Sequence, residues 1–150
     1  MQPRRRPLTW LLGAALLAGA VLAGCGDDGE TFTEADRVEL CDAVTALEDE
    51  VTAQATLFQD PNTDDTTARA GLGEVLAAVR RVLDSVPSDL EDDAESVGED
   101  LSEVEARIEE ADLEELRTEL PAELGQILAG PENRSTPASR ILAYTNRECA

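Results

Sequence analysis

Apolar residues recur at steps of three and four through most of this chain. After Thr33, the residues Leu40, Val44, Leu47, Val51, Ala55 and Phe58 fall on one stripe of a helix. Thr33 followed three residues later by Asp36 has the arrangement of a capping box, so the helix is expected to start there. Asp60-Pro61-Asn62 breaks it. A second stripe from about Asp64 holds Ala68, Leu72, Val75, Val79, Val82 and Val86, widened by Leu76 and Leu83, and Pro87 ends it. Gly71 and Gly73 weaken the first turns of that helix by up to about 1 kcal/mol each.

Ser88 with Glu91 reads as another capping box, opening a third helix whose stripe is Leu90, Ala94, Val97, Leu101, Val104, Ile108 and Ala111. Asp112 caps a fourth, with Leu113, Leu116 and Leu120 before Pro121 and Leu124, Ile127 and Leu128 after it; the proline is expected to kink or restart it. Gly130-Pro131 is a stop, and Thr136-Pro137 opens a last helix bearing Ile141, Tyr144 and Cys149. No run has the period of two that a strand needs. The expected fold is therefore all-α, an antiparallel bundle of about four helices plus a short C-terminal helix, over residues 33–150. Four apolar stripes could also pair between chains as a coiled-coil oligomer; the short turns marked by proline and glycine favour folding back within one chain.

The residues ahead of the bundle follow another rule. Arg4, Arg5 and Arg6 precede an apolar run from Leu8 to Ala23, which has the layout of an export signal and is shorter than the roughly 20 residues a spanning helix needs. Arg5-Arg6 lacks the surroundings of a twin-arginine signal, which leaves the export route open. Leu22-Ala23-Gly24-Cys25 resembles the lipobox of bacterial lipoproteins. In that family a diacylglycerol is attached to the cysteine thiol, cleavage occurs just before the cysteine, and the new amino terminus can be acylated, for example with palmitate. The resemblance implies a signal peptide over 1–24, lipidation at Cys25, and a flexible tether over 25–32. Two acyl chains hold a protein stably on a membrane where one does so only marginally. An ordinary secretory signal with an incidental cysteine is the competing reading.

Charge narrows the partners. The chain carries −21, and a signal with three arginines and no acid leaves −24 on the roughly 126 residues that remain, with no lysine or histidine anywhere. Nucleic acid is not an expected partner, since its phosphates are neutralised by Lys and Arg. Nor would such a head lie flat on an anionic bilayer. A basic envelope protein fits better.

Two cysteines remain after lipidation of Cys25. In an exported domain Cys41 and Cys149 read as a disulfide, and their separation excludes a CxxC redox centre; two buried thiols are the alternative. Four features recur together in this chain. They are the lipobox, Glu39-Leu40-Cys41, the Val86-Pro87-Ser88-Asp89-Leu90 junction leading to Asp92-Asp93, and the ending Ile141-x-x-Tyr144-x-x-x-x-Cys149. In these it resembles the small helical lipoproteins exported by high-GC Gram-positive bacteria. The resemblance implies the same fold and disulfide and brings no active site with it.

Enzymatic chemistry is not expected. There is no histidine for base work, no spare thiol if the disulfide forms, and no glycine-rich loop to cradle phosphate, so no catalytic residue and no cofactor is assigned. Paired carboxylates can cleave glycosides, but Phe32, Phe58 and Tyr144 leave little aromatic surface for a sugar. The sharpest site candidate is a cation loop at Asp60, Asn62 and Asp64, whose oxygens alternate as in an EF-hand. Asp65 stands where that loop needs glycine and Gly71 where it needs a bidentate glutamate, so a polar turn ending in a helix cap is the competing reading and no metal is assigned. Asn133-Arg134-Ser135 fits a glycosylation pattern that a bacterial setting would leave unused. The expected function is an acidic helical docking module, lipid-anchored at the extracytoplasmic face of the cell membrane. The alternative is a binding protein for a small apolar ligand or a divalent cation.

Overall fold

A computed structural model of the protein describes residues 32–129 and 135–150. The lipobox with Cys25, the tether up to residue 31, Gly130-Pro131, and Asn133 and Arg134 lie outside the described residues. Five α-helices and no strand are present among those described: α1 (Glu34–Gln59), α2 (Asp65–Asp84), α3 (Glu91–Glu110), α4 (Leu120–Ala129) and α5 (Pro137–Glu148). The fold is an all-α bundle.

Most boundaries have a local cause. Thr33 caps α1 in a reciprocal box with Asp36, and Asp64 caps α2 by accepting from the Thr67 N–H at 2.8 Å. Thr136 caps α5 in a second box, closed by Ser139, with Pro137 preset for the first turn. The third helix departs from expectation. Ser88–Leu90 forms a separate 3₁₀ turn, and α3 begins at Glu91 with no side-chain cap at Leu90. The extra turn lets the chain reverse immediately after Pro87, where the proline holds the backbone extended.

Pro121 does not interrupt its helix. A π-helical turn, Glu115–Glu119, runs directly into α4, and the Leu120 N–H donates to the carbonyl of Glu115. The wider turn precedes the proline, whose missing N–H and bulky ring would disrupt regular α hydrogen bonding at that place. The chain therefore passes Pro121 without breaking.

α2 and α3 form the centre. Leu72, Val75, Leu76 and Val79 pack with Val97, Leu101, Val104 and Ile108, and the cluster closes with Leu116, Leu120, Leu124, Ala138 and Ile141. α3 lies against α2, α4 and α5, whereas α1 packs along α2 and meets α5 only near its own start. That placement changes the α1 stripe. Leu40 is buried and Leu47 and Phe58 pack against the core, but Val51 is 47% exposed and Ala55 faces solvent. With one neighbour along most of its length, α1 buries only a narrow seam with a seven-residue step, and Gln54 occupies it at 7% exposure.

α5 closes the structure. Near its start Arg140 donates through Nε to Asp93 Oδ2 at 2.6 Å, and at its end Cys149 is bonded to Cys41 with their Cα atoms 5.3 Å apart. The disulfide closes a loop of 108 residues, which on the chain-entropy picture stabilises the fold by about 4 to 5 kcal/mol.

Candidate functional site

The acidic turn between α1 and α2 is satisfied from within. Asp60 Oδ1 accepts from both the backbone N–H and the side-chain amide of Asn62, at 2.9 and 3.0 Å. Asp64 is occupied as the α2 cap. Hydrogen bonds from Asn62 hold Asp60 below the ordinary carboxylate range, and those from Thr67 do the same for Asp64, so both are charged at neutral pH. Two carbonyls of the turn, those of Asp60 and Thr63, accept from the Arg117 guanidinium at 3.0 and 2.7 Å. A fixed positive charge thus already stands against the acidic turn. No group of three or more metal-ligating side chains suited to an ion is found among the described residues.

Arg69 acts similarly beside it, donating to the carbonyls of Ile108 and Ala111 at 2.9 and 3.0 Å. These are orphan carbonyls at the end of α3, so the arginine serves as a C-terminal cap. The two arginines clamp this end of the bundle. Neither role was visible in the sequence, because an arginine on a helix gives no sign of which distant carbonyl it reaches.

The opposite end is open. The start of α1, the end of α2 and the start of α3 enclose a groove of about 1140 Å³. Its apolar lining includes Phe32, Leu83, Val86 and Ala94; its acidic lining comprises Asp36, Glu39, Asp84, Glu91 and Glu95. Asp36 is committed to the α1 cap, accepting from the Thr33 N–H at 2.6 Å, which keeps it ionised. Glu39, Asp84, Glu91 and Glu95 form no ion pair among the described residues. Among the described residues Arg80 is the one cation in the lining, and it is drawn onto Glu105. A shallower cleft of about 380 Å³ adjoins it across Glu39 and Asp84 and adds Asp42 and Arg81. Sequence periodicity reveals none of this, since the groove exists only because three helix ends meet.

Beside the groove, the chain's entry into the domain is pinned. The ring of Phe32 meets Tyr144 edge-on at 6.0 Å, and the Arg147 guanidinium lies 4.9 Å above the same tyrosine. Arg37 donates to the Glu148 carbonyl at 3.0 Å, next to the disulfide. Cys41 and Cys149 are thus brought together as expected, while Asp60 and Asn62 bond to each other and Asp64 caps α2. Among the described residues no helix is long and apolar enough to cross a membrane. No protein family, curated protein or solved structure gives a match to the chain.

Proposed function

We propose that this protein is an extracytoplasmic lipoprotein, held on the cell membrane through lipidated Cys25, whose acidic helical head docks a basic envelope protein. The observation that carries the reading is the order of parts along the chain: Leu22-Ala23-Gly24-Cys25 stands directly before an acidic bundle closed by Cys41–Cys149. A disulfide tying the first helix to the last suits a compartment where thiols oxidise. The large single-sign charge supports a partner of opposite sign and opposes nucleic acid or a bare anionic bilayer. It acts by docking, without catalysis or a cofactor, and is similar in its layout to the exported lipoproteins of high-GC Gram-positive bacteria.

Mass spectrometry of the protein from its own membranes tests the anchor. The expected product begins at Cys25 and carries a diacylglycerol, and Cys25→Ala leaves the membrane fraction. A product that begins elsewhere and carries no lipid overturns the anchor. Crosslinking and pull-down of the lipidated form at low and high salt test the docking. A protein recovered at low salt and lost as salt screens the charges supports it. Recovery of an apolar small molecule in place of any protein would favour a carrier.

A further inference from the structure

We infer that the groove between the start of α1 and the α2–α3 corner is the docking site, and that its occupant is a basic, amphipathic segment of a membrane-embedded protein, taken where that segment leaves the bilayer. This rests on the anchored docking reading above and adds the site and the chemistry of the partner.

Three observations converge on the groove. The first is its shape. At about 1140 Å³ it is open and above the usual range for a drug-sized ligand, so it suits a stretch of polypeptide. Its chemistry is two-sided: Phe32, Leu83 and Val86 offer apolar contact, while Glu39, Asp84 and Glu91 stand among them with no ion pair among the described residues. A segment alternating apolar and basic residues answers both features, and an anionic headgroup answers neither.

The third observation is where the chain enters. Phe32 lines the groove and is held against Tyr144, and it lies seven residue steps beyond Cys25, a span of at most about 25 Å. An anchored protein therefore keeps this groove near the bilayer surface. Segments flanking membrane spans lie at that height, whereas a partner's charge acting from farther off is screened within about 8 to 10 Å. Lys and Arg are sparse in the outer loops of membrane proteins, so an acidic groove held at that level discriminates among them.

The test uses the full-length lipidated protein in phosphatidylcholine vesicles. The probe is a leucine-based transmembrane peptide with an exposed flank of alternating Arg and Leu that carries a photocrosslinker. A groove variant combines Glu39→Gln, Asp84→Asn, Glu91→Gln and Glu95→Gln. A control removes the same charge elsewhere with Asp49→Asn, Glu109→Gln, Glu110→Gln and Glu119→Gln. The groove variant is expected to need about tenfold more peptide for half-maximal crosslinking and the control less than about twofold more, with wild-type crosslinks mapping to the groove helices. Equal losses in both variants overturn the groove and leave a diffuse acidic docking surface standing. No crosslinking, or equal crosslinking to a peptide with Glu in place of Arg, overturns the groove and docking of a basic partner together.

Discussion

α1 and α3 are both amphipathic by spacing, and the bundle treats them differently. On α3 the residues Val97, Leu101, Val104 and Ile108 are all buried, because α2, α4 and α5 surround the helix. On α1 only Leu40 of the expected stripe is fully enclosed, Val51 is turned out, and the seam is completed by an amide. Gln54 is buried with neither its oxygen nor its nitrogen hydrogen-bonded among the described residues, and its side chain lies against Gly71 of α2. A methyl group at Gly71 would come within 1.9 Å of the Gln54 oxygen. The difference teaches that period decides whether a helix is amphipathic, while the number of neighbours decides how wide a face is buried. α1 is held at its ends, by the disulfide and Arg37 at one and by Arg117 at the other.

The strongest way to break the comparison is to cut α1 loose. Cys41→Ser with Cys149→Ser is expected to lower stability by about 4 kcal/mol in denaturant unfolding, and by less where the unfolded chain keeps residual structure. Hydrogen exchange should then show α1 losing protection before α3 does. Equal losses in the two helices would mean that α1 is as well integrated as α3. Next comes the core itself. Leu101→Ala should cost about 3 kcal/mol by leaving a cavity, while Val51→Ala should stay within about 0.5 kcal/mol. Comparable costs would place Val51 in a buried contact, possible only if α1 had a second neighbour.

The seam gives a gain where the core gives a loss. Gln54→Leu is expected to raise stability by about 1 kcal/mol, because it removes two buried polar atoms that lack partners. Gly71→Ala should be tolerated better in a Gln54→Ala background than in the wild type, where the new methyl meets the amide. Additive effects would show that the two residues do not touch. The smallest effect concerns the clasp of α5 on α3. The Arg140 guanidinium holds the Asp93 carboxyl below its ordinary value near 3.8. A carboxylate whose pKa is depressed by folding contributes stability above its unfolded pKa and loses it as pH falls through the folded one. Arg140→Ala should therefore lower the melting temperature slightly at neutral pH, and the difference from wild type should vanish in strong acid.

Much of the fold was legible in the residues. Thr33, Asp64 and Thr136 mark helix starts through the hydrogen bonds their own side chains make, which are local events. The stripes of α2 and α3 were legible because a central helix buries the whole of its apolar face. The candidate site was much less so. Asp60, Asn62 and Asp64 have the composition of a cation loop, but Asp60 is bonded to Asn62, Asp64 caps α2, and Arg117, more than fifty residues away in the chain, sits on the carbonyls of Asp60 and Thr63. Ser88 and Glu91 have the letters of a capping box, yet the reversal after Pro87 uses Ser88 in a 3₁₀ turn.

By itself the sequence determined that the chain is helical, where most helices begin and end, which cysteines could pair, and that the head is strongly acidic. Those properties follow from local backbone preferences, periodicity and counting. Only the tertiary structure decided that α1 buries a seam and not a face, that two arginines cap distant helix ends, and that an acidic groove opens beside the chain's entry into the domain. Each depends on which helix lies beside which, and that arises from packing three-dimensional surfaces against one another.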